Sequence, residues 1–240
     1  MTTRPSQHKR ILYGRRRGHK LRPGQQNLVD VMLPHLRVVL PEEGKLDLND
    51  LFDSSPVGKN SKLWLEIGFG GGEHLAAQAE IHSDIAMIGC EPFENGVASL
   101  LAHMENRGLR NIRIHDNDAR DLIQALPTAS VDRIFLLFPD PWPKSRHAKR
   151  RFVSQENLSA LAAVLKDGAE FRVATDHVVY CRWALKQLLD HPDFDWLAEK
   201  ASDWSARSGD WPATRYEQKA ITQGRKPVYF RFVRKSREST

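Results

Sequence analysis

A chain of 240 residues, 40% of them hydrophobic and 28% charged, holds enough apolar material for one substantial core, which excludes a disordered polymer. No apolar run approaches the roughly 18 residues needed to span a bilayer, and the amino terminus has no apolar signal stretch, so a soluble, cytoplasmic protein is expected. The net charge of +6 is carried by one end: residues 1–29 hold eight Lys and Arg (Arg4, Lys9, Arg10, Arg15, Arg16, Arg17, Lys20, Arg22) and no acid, against 28 Lys/Arg and 30 Asp/Glu in the remainder.

Residues 1–26 therefore read as a basic, commonly flexible arm suited to phosphates, whose counterion release gives sequence-independent affinity. A merely solvated terminus and an Arg-rich transit segment are the alternatives. Residues 27–60 read as a helical or irregular lead-in, with apolar positions at Leu28, Val31, Met32, Leu36, Val38 and Val39 interrupted by Pro34. Ser54-Ser55-Pro56 and Gly58-Lys59-Asn60 mark the entry to a main domain over 61–235, followed by a tail over 236–240. Cys90 and Cys181 form neither a disulfide framework nor a zinc pattern, and the ten histidines lack ligand spacing, so no metal is expected.

The main domain opens with Leu-Trp-Leu-Glu-Ile at 63–67, a buried-strand composition, running into glycines at 68, 70, 71 and 72 and a helix from Glu73. The dinucleotide fingerprint fails because Glu73 stands where its last glycine belongs, and the Walker pattern fails for want of Lys-Ser or Lys-Thr. Glu66 beside Gly68 and Gly70 would repel a pyrophosphate. It would attract a ligand carrying an ammonium and a sulfonium, and S-adenosylmethionine is such a ligand.

A second strand over 85–90 ends at Glu91, nineteen residues after Gly72, an offset that suits an acid binding ribose hydroxyls. A helix over 94–106 and a strand over 112–115 lead to Asn117-Asp118. Asp118 is the choice for the adenine edge, with Asn117, Asp116 or a plain helix cap at this point still open. The strand over 131–138 is the strongest buried-strand signal and delivers Pro139-Asp140-Pro141-Trp142-Pro143-Lys144. Two prolines fix the Asp140 carboxylate at a carboxyl strand end, where α/β sheets bind substrates. Trp142 stacks on a base or closes the pocket. Lys144, Arg146, His147, Lys149, Arg150 and Arg151 follow as a phosphate cradle.

Further on, a helix over 152–165 closes at Asp167-Gly168, and a strand over 170–174 reaches Asp176, which faces substrate or caps the helix over 178–189. Strands over 194–198 and 228–233 read as an antiparallel pair. The long insertion between them, with Trp204, Trp211 and Thr214-Arg215-Tyr216-Glu217, is irregular, aromatic and charged, which favours a functional loop.

The Phe138-Pro139-Asp140-Pro141-Trp142 loop, Lys144, the Arg146–Arg151 run and Glu66-Ile-Gly-x-Gly-x-Gly together resemble the bacterial tRNA (guanine-N7)-methyltransferase family (TrmB) across residues 60–235. The Pro-Asp-Pro-Trp loop is the specific part, and Pro143 departs from the family's pattern. The resemblance implies a class I S-adenosylmethionine-dependent methyltransferase (Rossmann-like) α/β fold, a mostly parallel seven-stranded sheet with a C-terminal antiparallel strand. It implies methylation of guanosine 46 in the tRNA variable loop, S-adenosylhomocysteine as product, cofactor contacts at Glu66, Glu91, Asp118 and Asp140, and substrate contacts at Lys144, Asp176, Thr214, Arg215, Tyr216 and Glu217. Asp140 is the expected catalytic residue, and no protein partner is evident. A nicotinamide oxidoreductase is disfavoured by Glu73, an exocyclic-amine methyltransferase would lean on amide acceptors, and a non-catalytic RNA chaperone leaves Glu66, Glu91 and Asp140 unexplained.

Overall fold

A computed structural model describes residues 12–58 and 61–237; Arg4, Lys9 and Arg10 of the basic arm, Lys59 and Asn60 of the entry turn and residues 238–240 of the tail lie outside it. Seven strands form one sheet in the order β3-β2-β1-β4-β5-β7-β6. Strands β1 (Leu63–Ile67), β2 (Ala86–Cys90), β3 (Ile112–His115), β4 (Val131–Leu137) and β5 (Leu165–Thr175) are parallel, and β7 (Val228–Arg234) runs antiparallel to β5 and to β6 (Phe194–Trp196). The expected mostly parallel seven-stranded sheet with an antiparallel C-terminal strand is found.

The sheet is apolar on both faces because helices cover both, as crossover connections between parallel strands require. Leu63, Leu65 and Ile67 of β1 and Ile134 and Leu136 of β4 belong to one core, shared with α6 (Ala119–Ala125), α7 (Gln155–Val164) and α8 (Val178–Leu189). Trp64 of β1 and Phe135 of β4 point to the other, shared with α4 (Glu73–Ile81) and α5 (Glu94–Arg107). In the lead-in, α1 (Pro23–Val31) packs on α5, and α2 (Leu33–Leu36) delivers Arg37 and Val38 to the β3 edge, where the Val38 amide donates to the Ile114 carbonyl at 2.8 Å. The short α3 (Leu48–Leu51) is capped by Asp47. Upstream, residues 16–19, read from sequence as arm, are bonded to the start of α5: the Glu94 amide donates to the Arg16 carbonyl at 3.0 Å, and the Gly18 amide to Asn95 Oδ1 at 2.9 Å.

Several boundaries differ from the sequence reading, among them that of α1, which begins at Pro23 within the stretch read as arm. β5 begins at Leu165, because Leu165 still pairs with Val131; the next pair is Glu170 with Arg133, and the intervening residues bulge, with Gly168 at φ +76°. The insertion read as an irregular loop contains α9 (Ser202–Ser205) and α10 (Arg215–Thr222). Thr214 and Glu217 form a capping box that nucleates α10, each side chain accepting from the other's backbone amide. Among the described residues, no helix is long and apolar enough to cross a membrane.

Among the glycines, the tightest position is in α5 against the glycine turn, where a Cβ on Gly96 would lie 2.2 Å from the Gly70 carbonyl oxygen. Backbone on both sides leaves little room to yield. Gly96→Ala is expected to destabilise the protein by about 1–3 kcal/mol through overpacking, read as a fall in denaturation midpoint, whereas Gly209→Ala, whose Cβ meets nothing within 4 Å, leaves it unchanged.

Candidate active site

The carboxyl ends of β1, β2 and β4 bring three acids into range of one another. Glu66 shares the Trp64 face of β1, level with Gly89 of β2 and Phe135 of β4, and is 2% exposed. Its Oε2 lies 2.7 Å from Nδ1 of His74 in the first turn of α4. Glu91, just past β2, accepts the Gly70 amide at 2.8 Å and the Phe93 amide at 3.0 Å. Burial above all raises its carboxyl above the ordinary value; those two N–H groups pull it down, and the charges of Asp140 and Glu66 push it up again. Asp140 itself is exposed.

Gly68, Gly70 and Gly72 take φ of +71°, +57° and +81°, which L side chains rarely adopt, and so turn the chain from β1 into α4. A Cβ on Gly68 would meet nothing within 4 Å, so the turn opens onto space there. A Cβ on Gly70 would lie 2.9 Å from the Tyr216 ring, so the insertion closes over the same turn. Arg215 Nε stands 3.6 Å from Glu73 at the start of α4. The segment 214–217 and the glycine turn, far apart in sequence, are neighbours in space.

At the end of β3 the three polar candidates take different partners. Asp118 caps α6, accepting the Arg120 amide at 3.0 Å, and pairs with the Arg120 guanidinium. Asp116 forms a two-pronged pair with Arg37 at 3.0 and 2.8 Å, and Asn117 accepts from Arg16 at 2.8 Å. The helix-cap reading of Asp118 is thus realised at the place chosen for the adenine edge.

The loop after β4 is held in an uncommon shape. Phe138 and Trp142 have φ of +50° and +40°, a region costly for residues with a Cβ. Arg151 departs from the expected phosphate-facing set: it is 6% exposed, donates to the Pro141 and Trp142 carbonyls, the latter at 3.0 Å, and lies over the Trp183 ring. The Arg150 guanidinium lies against the rings of both Trp142 and Tyr13, 4.8 and 4.7 Å from their centroids, and His147 meets Trp142 edge-on. Lys144, Arg146 and Lys149 are exposed.

Asp176, at the end of β5, does not cap α8. The cap is His177, and Asp176 pairs with Arg225 at 2.9 Å. Glu217 is 4% exposed and accepts from Arg207 and from the Tyr229 hydroxyl. Sequence reasoning missed Arg225, Tyr13 and the buried His74 and Gln78, and read Arg16 only as part of the basic arm; His74 and Gln78 carried a signal, a polar pair four residues apart on an otherwise apolar helix face. A cavity of about 630 Å³ lined by Lys45, Phe52, Val57, Leu63, Ala86 and Lys166 lies at the amino ends of β1 and β2, away from the acids. Among the described residues no group of three or more His, Cys, Asp or Glu side chains is placed to hold a metal ion.

Three acids grouped beside a glycine turn suit a cationic ligand and disfavour a pyrophosphate. Residues 60–230 match a family described as putative methyltransferase. Among solved structures, an rRNA methylase from Streptococcus thermophilus superimposes at TM-score 0.51 with 9% identity over 74% of this chain and 89% of its own. A 16S rRNA methyltransferase, KamB, does so at 0.51 with 16% identity over 83% of this chain and 100% of its own. Both share the fold. Proteins named tRNA (guanine-N(7)-)-methyltransferase are far more similar: 48% identity for that of Zymomonas mobilis over 94% of both chains, 50% for that of Paramagnetospirillum magneticum over 94% and 93%, and 46% for that of Rhodospirillum rubrum over 99% and 92%. With an α/β methyltransferase sheet, acids at three adjacent strand ends and relatives of this similarity over nearly its whole length, the chain belongs to the tRNA (guanine-N(7)-)-methyltransferase family.

Proposed function

We propose that the protein transfers the methyl group of S-adenosylmethionine to N7 of guanine in tRNA, at guanosine 46 of the variable loop, with S-adenosylhomocysteine as the other product. The observation that carries this reading is the convergence of Glu66, Glu91 and Asp140 at one end of the sheet, next to a cationic loop, in a chain whose close relatives are named for methylation of guanine N7 in tRNA.

S-adenosylmethionine, when bound, supplies an electrophilic methyl group on a sulfonium. Glu66 faces its ammonium end: Oε2 is taken by His74, and Oε1 accepts no hydrogen bond from the described residues. Glu91 retains a lone pair on each oxygen for the ribose hydroxyls after accepting its two amides. Gly68 gives the ligand room, Gly70 turns the backbone beside it under Tyr216, and Asp118 borders the adenine from its place at the head of α6.

Guanine N7 carries no proton, so its attack requires no general base. It requires alignment and a negative group near the purine as it becomes cationic. Asp140 serves both needs, accepting from guanine N1–H and its amino group and facing the developing charge. Asp176 lends its field while paired with Arg225, and Glu217, being buried, acts by holding Thr214 and the start of α10, which leaves Arg215 and Tyr216 exposed toward substrate.

N7 lies in the deep groove of A-form RNA, so the target must be splayed out or sit in an irregular tertiary region, which folded tRNA supplies. Lys144, Arg146 and Lys149 present their charges to its phosphates. His147 and Arg150 flank Trp142, and Arg151 shapes the loop from beneath. The basic arm, residues 1–26, adds further phosphate contacts, and residues 61–235 form the methyltransferase domain.

Three measurements test this reading. Incubation with unmodified tRNA and labelled S-adenosylmethionine, followed by nucleoside analysis, is expected to place the label in 7-methylguanosine; label in another nucleoside refutes the proposed target. Asp140→Ala should lower turnover about a hundredfold while leaving cofactor affinity within about threefold, and unchanged turnover removes Asp140 from catalysis. Charge reversal at Arg146 and Lys149 should weaken tRNA binding and flatten its log–log salt dependence by about 1 for each phosphate no longer neutralised, whereas a wild-type slope takes both out of the interface.

A further inference from the structure

His74 stands two residues past the glycine turn and is 2% exposed. A buried imidazole needs partners for both nitrogens. Nδ1 lies 2.7 Å from Oε2 of Glu66, and Nε2 lies 3.4 Å from Nε2 of Gln78, one helical turn further along α4. The orientation of the Gln78 amide is set from outside this pair, because its Nε2 donates to the Asp210 carbonyl at 2.9 Å. A carbonyl needs a donor, so the amide nitrogen faces both Asp210 and the ring, and Nε2 of His74 accepts. The ring proton is then on Nδ1 and is donated to Glu66. The arrangement leaves Gln78 Oε1 buried without a partner, a burial that costs stability. Ring contacts hold the imidazole plane as well, with the Phe135 centroid at 4.8 Å and that of Trp211 at 6.3 Å.

We propose that His74 is a positioning residue for the cofactor's amino-acid portion. By engaging Oε2 it fixes the side-chain conformation of Glu66 so that Oε1 is presented to the cleft, and the chain Asp210–Gln78–His74 sets which nitrogen carries the proton. This rests on the assignment of Glu66 to the ammonium of S-adenosylmethionine. The inference concerns one half of the ligand only: affinity gained through Glu66 depends on His74, and affinity for the adenosine half does not.

Calorimetric titration of the purified full chain without tRNA separates the halves, using S-adenosylhomocysteine, which has both, and 5′-methylthioadenosine, which lacks the amino-acid portion. His74→Phe keeps the ring packing and loses the donor; it should weaken S-adenosylhomocysteine about tenfold or more and leave 5′-methylthioadenosine within about twofold, in keeping with the strength of a hydrogen bond to a charged group. His74→Asn, whose amide nitrogen can stand where Nδ1 stands, should retain most of the affinity, and His74→Gln, which reaches the Nε2 position instead, should resemble His74→Phe. Equal losses for both ligands mark a merely structural residue and overturn the proposal, as does equal behaviour of the Asn and Gln variants. Glu66→Gln is the control: wild-type binding of S-adenosylhomocysteine by that variant overturns the assignment of Glu66 itself, whereas loss there with none in His74→Phe overturns the role of His74 alone.

Discussion

Negative charge gathered where β1, β2 and β4 end is the constraint on which the rest of the cleft depends. Burial is the main reason the Glu91 carboxyl is raised, and the charges of Asp140 and Glu66 add to it. Each acid is managed differently. Glu66 has the His74 donor, Glu91 has two backbone amides, and Asp140 stays in water. The Gly70 N–H that a phosphate-binding turn would direct at its ligand is here directed at Glu91. On the proposed reading the same strand-turn-helix geometry serves a cation where other α/β sites serve an anion, and Glu66 and Glu91 at strand ends make the difference.

A second constraint is how the sheet face under Trp64 is covered. Helices α4 and α5 cover its β1–β3 side, and the insertion between β6 and β7 covers the β4, β5 and β7 side. Trp211, 1% exposed, is the plug, meeting Phe135 and Tyr229 edge-on. Around it, the nearly buried Arg172 pairs with Glu170 at 2.7 Å and Asp210 at 2.8 Å. Burial alone would raise the Asp210 carboxyl, but hydrogen bonds from Arg172 and Ser208 and the charges of Arg172 and Arg133 carry it well below the usual range. An isolated buried arginine would be costly; a paired one ties the insertion to the sheet. Tyr216 consequently reaches Gly70 from an anchored segment, which explains how a stretch without strong apolar periodicity holds a defined place beside the cleft.

The architecture was legible because parallel strands buried on both faces are continuous apolar runs, and β1, β3 and α8 fall where those runs predict. The glycine turn and the acids at strand ends were legible for the same reason, since the strand fixes where its next residue emerges. What sequence alone did not yield is partner choice. Arg151 belongs to a cation run but folds back onto two carbonyls, Asp176 meets Arg225 from across the insertion, and Asp118 is held by its own helix. Thr214-x-x-Glu217 is a capping-box pattern in plain view, yet α10 is so polar that its surroundings suggested a loop. Contacts that span long stretches of chain leave no local mark on either partner.

The loop after β4 shows how local chemistry and distant contacts combine to fix one carboxylate. Prolines at 139, 141 and 143 hold their own φ near −65°, which leaves the turning to the residues between and before them. Two of these, Phe138 and Trp142, turn with positive φ. Such strain persists only where the surroundings over-determine it. Here the Phe138 amide is bonded to the Ala174 carbonyl of β5, and Arg151 binds the Pro141 and Trp142 carbonyls from within the fold. Asp140 lies between these two anchors. An exposed acid on a free loop would sample many positions; on this loop the ordering is done during folding, which is the form of preorganisation that the role proposed for Asp140, alignment and charge stabilisation without proton transfer, requires.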